Sequence, residues 1–533
     1  MNIVDQKLLT DLEIYEKIIP ILDKTITLYG KTKFKEFFQI FYNDKNHLLR
    51  RKNIIESIVN TPNIKKIIVS NLKKINKLED NINWFFSKNN DTYDDLCFKI
   101  DYLTIDNMLT CRNFLKIYNP GILVIIYLMI YLILRYNGIN INIKDYIFSI
   151  YASYKLFISG LLSFIINDKN MISFLTNILA STYTLYQLYT IYNSIENSII
   201  HYKKCSEFNN KFNNIRKFID LVKLIFKKDC FFIYEKNLLK EKINKIDKIF
   251  SKKLLTNIGY KIMLKKNSNV YESDFNSILQ YIGVIDSFIS ISSLLNDGYT
   301  FPYFDYSEKP SIDANFIWHP CIKPEFRIKN NCKISNNIII TGPNTSGKST
   351  YIRSVMLAIF LAQTIGVTCC DKLTFTPFTV LYTHIEIPNI VRDKASLFET
   401  EILRCIEYCK LVESLPKNSF IFAVMDELFT STNPLEGIAG SYGICEYLGQ
   451  FTNNLFIITT HFQELTKLES IYPDKFKNMK FIVDIQNNIL VSNYKITDGI
   501  STQNIAINLL NQKGYNNSII EKANLKLKDL LKL

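Results

Sequence analysis

Glycine and proline are scarce in this chain, at 16 and 13 of 533 residues. Together they make about 5% of the sequence, where ordinary usage is about 12%. So few breakers exclude a turn-rich all-β protein and favour long helices. Cysteine is present 11 times, an odd number, with no C-x-x-C pair and no histidine at zinc spacing. That excludes a disulfide framework or a structural zinc site and reads as core thiols in a reducing compartment. The only close pairs are Cys369-Cys370 and Cys405/Cys409. The first seventeen residues carry Asp5, Asp11, Glu13 and Glu16, unlike a signal or transit peptide. The localisation expected is therefore intracellular, cytoplasmic or nuclear, with membrane association as the alternative. The longest unbroken apolar run is Gly121–Leu134, 14 residues, short of the roughly 20 that cross a bilayer.

Against these absences, 47% hydrophobic and 21% charged residues are ordinary globular usage, which excludes a disordered chain. The length suggests three or four domains. Lys and Arg outnumber Asp and Glu by 64 to 50, a net charge of +14. Residues 331–533 hold 19 basic and 18 acidic residues, so +13 of the excess lies in residues 1–330. That balance admits nucleic acid or an anionic membrane surface as partner.

Residues 1–116 read as amphipathic helices, with Ile14, Ile18, Ile21 and Leu22 at three- and four-residue steps. Residues 117–200 form an apolar helical block with seven charges in 84 residues. It is expected to be a buried bundle or partner surface, or else membrane-associated through 117–192. Residues 201–300 read as basic helices. Lys236 and Lys240, and then Lys245, Lys248 and Lys252, recur opposite Ile243, Ile246, Ile249 and Phe250, either as a solvated face or as a phosphate-contacting stripe. Short β-rich runs alternate with helices over 301–500, the α/β signature. Residues 501–533 are again helical.

The segment Gly342-Pro343-Asn344-Thr345-Ser346-Gly347-Lys348-Ser349-Thr350 fits G-x-x-x-x-G-K-[ST]. A strand, Ile338–Ile340, precedes it and a helix, Tyr351–Ile365, follows. Glycines let backbone N–H groups turn around phosphate oxygens, and the helix N-terminus adds positive potential. Lys348 is expected on the β- and γ-phosphates of ATP and Ser349 on Mg²⁺. The apolar run Phe420–Met425 ends in Asp426-Glu427, where Asp426 suits the Mg²⁺ shell and Glu427 suits polarising a water. A third apolar run, Leu455–Thr460, ends in His461, a γ-phosphate sensor or a structural histidine.

These motifs resemble the ATPase domain of the MutS family of DNA mismatch repair proteins. Further segments agree in order: Trp318-His319-Pro320, the stretch from Ser396 to Glu401, Thr432 to Gly437, Thr459 to Leu465, and Tyr494-Lys495-Ile496 with Asp498-Gly499. More weakly, Leu22 to Gly30 and Leu49 to Ile55 resemble the opening of the family's core and lever region. The resemblance implies a mainly α lever and core region, an α/β P-loop ATPase domain of ABC type, and a C-terminal helical dimerisation segment. It implies a dimer, expected as a homodimer, with Ser396 reaching the γ-phosphate held by the other subunit's Lys348. It also implies DNA as partner, through phosphates rather than bases, in a short form without the mismatch-reading domains. A membrane-anchored ATPase and an ATP-locked scaffold with little turnover are the alternatives. Phe34-Lys35-Glu36 spells the family's F-x-E wedge, but so does Phe462-Gln463-Glu464, and Phe34 sits in a helical stretch; a core residue is expected there. Two positions depart from the family pattern. Phe429-Thr430-Ser431 replaces a Gly-Arg-Gly, and Ala395 replaces a glycine.

Overall fold

A computed structural model describes residues 2–87, 106–163, 171–231, 236–251, 258–385, 397–486, 489–503 and 506–530. The chain forms two compact units. One comprises residues 1–73, 228–233 and 279–533; the other comprises 74–227 and 234–278. This division differs from the segments read along the sequence, because residues 1–73 pack with the α/β region rather than with the helices that follow them.

The first unit opens with β1 (Asn2–Ile3), α1 (Gln6–Asp11), α2 (Ile19–Leu22), α3 (Leu28–Phe37), β2 (Ile40–Phe41), α4 (Lys45–Asn60) and the start of α5 (Pro62–Asn76). Asp5 caps α1 by accepting from the Lys7 N–H, and Thr27 caps α3 by accepting from the Gly30 N–H. The Thr27 corner is also tied to Asp286, whose carboxylate accepts from the Ile26 and Thr27 N–H groups and the Thr27 hydroxyl at 2.7–3.1 Å. Phe34 is fully buried against Phe38, with ring centroids 5.4 Å apart. It is a core side chain, as its helical setting predicts, and has no surface with which to wedge a base step.

The second unit contains α6 (Glu79–Phe86), α7 (Asp106–Tyr136), α8 (Ile143–Ser163), α9 (Met171–Lys228), α10 (Lys236–Ser251), α11 (Ile258–Lys266) and the first part of α12 (Asn269–Leu294). Its core is aromatic: Phe85 meets Phe212, Phe250 and Phe275 at centroid distances of 5.7–5.8 Å, mostly edge-on. The amphipathic reading of 236–252 holds over α10, where Ile243, Ile246 and Phe250 are buried and Lys245 and Lys248 are exposed. Lys245 is already engaged, 2.7 Å from Asp274. The described part of the apolar block is mostly exposed rather than packed as a buried bundle. Of residues 125–133 only Tyr131 is buried, although this stretch of α7 is apolar at every position. Among the described residues the one straight helix long and apolar enough to cross a membrane is Asn269–Asp297, and 72% of its apolar window is buried, as in a core helix.

The α/β part returns to the first unit. Strands β3 (Pro302–Phe304), β4 (Ile312–Ile317), β5 (Asn330–Ile334) and β7 (Lys372–Phe375) form one sheet in the order β3-β7-β4-β5. The second sheet, in the order β12-β11-β6-β10-β9-β8, holds β6 (Asn337–Thr341), β8 (Val380–His384), β9 (Ile421–Asp426), β10 (Asn454–Thr460), β11 (Phe476–Gln486) and β12 (Ile489–Asp498). All neighbours in it are parallel except β11 and β12. Every residue of β6 and β10 is buried, as a parallel strand covered on both faces requires. Helix α13 (Lys348–Thr364) is buried along almost its whole length. With α14 (Leu397–Ser414), α15 (Pro434–Leu448) and α16 (Lys467–Ile471) it completes the layers, and α17 (Ala506–Gln512) and α18 (Asn517–Leu530) end the chain. Register sets the site. Thr460 pairs with Thr341, and Thr459 pairs with Asp426. The carboxyl ends of β6, β10 and β9 are therefore level, and the loops leaving them meet at one edge.

Candidate functional site

The loop after β6 turns tightly enough that only glycine fits at its two ends. A Cβ on Gly342 would lie 3.0 Å from the Phe481 carbonyl oxygen. Gly347 has φ +98°, in the left-handed region, and a Cβ there would meet the Tyr494 ring at 3.1 Å. Lys348, 2% exposed, opens α13 and bends back so that Nζ donates to the carbonyls of Gly342 at 2.8 Å and Pro343 at 3.3 Å. The buried Ser346 Oγ has no hydrogen-bond partner. An unsatisfied hydroxyl and a buried ammonium resting on backbone carbonyls, inside a glycine-bounded loop, fit an anion with several oxygens.

The acidic pair faces this loop. Glu427 Oε1 lies 3.5 Å from Lys348 Nζ and 2.7 Å from His461 Nε2. His461 Nε2 also contacts Asn344 Oδ1, which joins the end of β10 to the loop. Asp426 accepts from the Thr459 hydroxyl on the adjacent strand. Burial pushes the Glu427 carboxyl up, but the His461 hydrogen bond and charge, together with Lys348, outweigh it and hold its pKa below the ordinary carboxylate range. Burial lowers the Lys348 ammonium, with Glu427 and Asp426 acting the other way. The Glu427 carboxylate stays ionised at neutral pH, and a ligand must rearrange its contact with Lys348. Ser349 is half-buried in the first turn of α13. A hydroxyl and a carboxylate on neighbouring elements are hard oxygen donors of the kind Mg²⁺ takes beside phosphate. Among the described residues no cluster of three His, Cys, Asp or Glu side chains could hold a metal by itself.

Of the residues singled out from sequence, Lys348, Glu427, His461, Asn344 and Asp426 come together in this way. Thr345 and Thr350 are exposed at the loop's outer side, and Pro343 is buried beneath it. Ser396 lies outside the described residues. Sequence reasoning did not assign a role to a cleft of about 180 Å³ beside Gly347, walled by Tyr494, Phe326, His319 and Ile322. Tyr494 sits at φ +54°, which turns its ring onto the loop. Burial, with the nearby Arg353 cation adding to it, drives the His319 pKa down to about 4, so its imidazole is neutral at physiological pH. Tyr494 and His319 were visible in the motifs Tyr494-Lys495-Ile496 and Trp318-His319-Pro320, but the β11–β12 hairpin is what brings Tyr494 to Gly347.

A family model described as MutS domain V matches residues 338–531. The match takes in the loop, the acidic pair, His461 and the C-terminal helices. Over residues 338–531 the chain is thus similar to this domain of the MutS family. The chain is 30% identical over 276 residues to a DNA mismatch repair protein MutS of Persephonella marina, covering 50% of this chain and 31% of that one. It is 30% identical over 223 residues to the DNA mismatch repair protein Msh2 of Dictyostelium discoideum, covering 40% and 23%. It is 29% identical over 259 residues to MutS protein homolog 4 of Homo sapiens, covering 46% and 26%. The matched part of the MutS-like chain thus spans between about a quarter and a third of these relatives' lengths.

Proposed function

We propose that this chain is a MutS-family protein, an Mg²⁺-dependent P-loop ATPase of ABC type that works as a dimer on DNA. The observation that carries the reading is the junction of Lys348, Glu427 and His461, where the glycine loop, the acidic strand end and the next strand end meet within 3.5 Å. In it the backbone N–H groups of 344–349 and Lys348 hold the phosphates of ATP, and Ser346 Oγ supplies a further donor. Ser349 and Asp426 hold Mg²⁺, which neutralises phosphate charge. Glu427, ionised and oriented by His461, accepts the proton of the attacking water, while His461 and Asn344 sense the terminal phosphate. The base of the nucleotide lies in the cleft of Tyr494 and Phe326.

The dimer and DNA parts of the reading rest on different observations. Ser396, reaching across to the partner's nucleotide, would make γ-phosphate the element that holds two copies together, so that hydrolysis gates the assembly. Helix α18 leaves Ile519 and Leu525 exposed, at 50% and 64%, which suits a helical dimer contact. The excess of +13 charges in residues 1–330 suits contact with DNA phosphates rather than base edges. The test is turnover of the full chain with and without DNA of different shapes at two salt concentrations, beside Lys348→Ala. DNA stimulation that falls steeply with salt, together with lost ATP binding in Lys348→Ala, is expected. A Lys348→Ala protein that binds ATP normally refutes the phosphate site. Salt-independent, DNA-independent turnover refutes the DNA partner. A dimer that binds ATP without turning it over leaves the scaffold reading in its place.

A further inference from the structure

The apolar block of the second unit has a surface that the ATPase reading does not use. Residues 125–133 of α7 are consecutive, and all but Tyr131 are between 39% and 58% exposed. At about 100° per residue, nine consecutive positions circle the helix more than twice, so the exposed apolar surface has no single face. On α8, Ile147, Phe148 and Tyr151 are 60–67% exposed; on α9, Leu185, Tyr186 and Tyr189 are 59–64% exposed. A protein partner covers one side of a helix. A helix that is apolar and open all round calls for a medium that surrounds it, and the medium of that kind is hydrocarbon.

The base of the block has complementary chemistry. Near the start of the apolar run α7 and the middle of α9 lie side by side. Asn119 Nδ2 donates to Ser194 Oγ at 2.8 Å, Ser198 Oγ donates to the Lys116 carbonyl at 3.0 Å, and His201 Nε2 lies 2.8 Å from Asn113 Oδ1. Between them is a cavity of about 810 Å³ whose lining combines Arg112, Lys116 and Lys204 with Leu115, Ile122 and Ile200. Cations and aliphatic side chains in one lining suit a phosphate headgroup with its acyl chain. Arg112, Lys116, Lys203 and Lys204 thus sit where the apolar surface ends, while only seven charges fall in the 84 residues between Ile117 and Ile200. Tyrosines recur through the block at 118, 127, 136, 151, 186, 189 and 192, the residue type that prefers the headgroup boundary.

We propose that the α7–α9 block inserts into the surface of an anionic phospholipid bilayer, with Arg112, Lys116 and Lys204 on the headgroups. The insertion is partial. The stretch from Ile125 to Leu134, before Arg135, is ten residues, about 15 Å of helix, the depth of one leaflet of a hydrocarbon core of about 30 Å. Pro120 interrupts α7 just before it, and none of the described helices in the block is by itself a straight crossing span. The geometry is that of a segment lying in one leaflet.

The test is flotation of the full chain with vesicles of phosphatidylcholine alone and of phosphatidylcholine mixed with phosphatidylserine, each at low and high salt. Wild-type protein is expected to float with both, more strongly with phosphatidylserine, and high salt should erase only the difference. The variant Ile126→Asp/Leu132→Asp/Ile133→Asp changes exposed positions only, and is expected to lose at least about tenfold in bound fraction while keeping wild-type ATP turnover. Lys116→Glu/Lys204→Glu should lose the phosphatidylserine preference alone. Absence of flotation with either vesicle, or a triple variant that floats like wild type, overturns the proposal. So does a concentration-dependent dimer mass that the triple variant abolishes without any lipid binding, which would make a second copy the occupant. Turnover is read separately, so loss of the ATPase reading leaves this outcome legible.

Discussion

Replacing Glu427 by glutamine removes one charge and almost no volume at the point where three strand ends meet. At 3.5 Å from Lys348 Nζ, and with an effective dielectric near 20, the gross attraction between the two charges is about 5 kcal/mol. Desolvation of the buried ammonium and the partial exposure of the carboxylate offset most of that, leaving a net of about 1–2 kcal/mol. This is energy that ATP must overcome to draw Lys348 onto its phosphates. The variant is therefore expected to bind Mg²⁺-ATP about 5- to 30-fold more tightly. On the proposed role it also loses the proton acceptor, which is worth about 10²- to 10⁴-fold in turnover, or roughly 3–5 kcal/mol of barrier. Binding and chemistry thus move in opposite directions. An equilibrium ATP titration and a single-turnover hydrolysis assay read them separately. The pH dependence follows from the same contacts. Glu427 has a depressed pKa, so its base function and its contribution to stability are present above the ordinary value of 4.5 and are lost only as pH falls through the lower folded value. A Glu427-dependent loss of rate with a midpoint near neutrality, or unchanged turnover in Glu427→Gln, would refute the assignment.

Three further perturbations probe neighbouring features. Gly347→Ala forces a left-handed φ on an L-residue and crowds Tyr494, at a cost of about 1–2 kcal/mol; ATP titration should show weakened binding with only a small fall in melting temperature. Tyr494→Ala removes one wall of the cleft beside Gly347 and should weaken ATP about tenfold through lost stacking, while competition by inorganic triphosphate stays as in wild type. Phe34→Ala empties a fully buried site and should lower unfolding free energy by about 3–5 kcal/mol in urea melts, with the ratio of affinities for mismatched and matched duplexes unchanged; a changed ratio would restore the wedge reading.

The parts of the fold that were legible in the sequence are those where local pattern and tertiary demand coincide. Ile338–Ile340, Phe420–Met425 and Leu455–Thr460 read as buried parallel strands because both faces of such strands are covered and the apolar run is unbroken. Since chemistry in such sheets collects at the strands' carboxyl ends, Lys348, Glu427 and His461 could be named together before their distances were known. Pairings between remote segments were not legible. Arg404 on α14 reaches Asp11 on α1 with Nη1 to Oδ2 at 3.0 Å across 393 residues, both side chains buried, and no spacing in either helix announces it. The four-stranded sheet was hidden for a different reason: β4 alternates buried and exposed residues over only six positions and shifts register between Ala314 and Ile317. The apolar block shows the limit from the other side. Hydropathy marks the segment as apolar, but whether neighbouring helices cover it is a tertiary fact.

The departure from the family pattern after the acidic pair has a physical resolution in the same terms. Where the family carries Gly-Arg-Gly, this chain has Phe429-Thr430-Ser431, and Phe429 stands at φ +57° beside Glu427 at φ +52°. The backbone keeps the left-handed turn that glycine adopts freely, at a strain of about 1–2 kcal/mol for the phenylalanine. The ring repays it locally. It is 6% exposed, meets Phe398 at 5.7 Å and covers Gly440, where a Cβ would lie 3.0 Å from the ring, while the Phe429 carbonyl sits against Gly437. Burying such a side chain is worth about 1.5–3 kcal/mol, so packing matches or exceeds the strain and the turn survives the loss of its glycine. Ser431, at the end of the segment, donates to the Glu401 carboxylate at 2.8 Å, fastening the loop that follows Glu427 to α14, the helix next in sequence after Ser396. The arginine and its flexible flanks are thus exchanged for an apolar anchor and a short hydrogen bond. The turn that orients Glu427 is preserved, while the loop beyond it is more firmly held than a Gly-Arg-Gly segment would be.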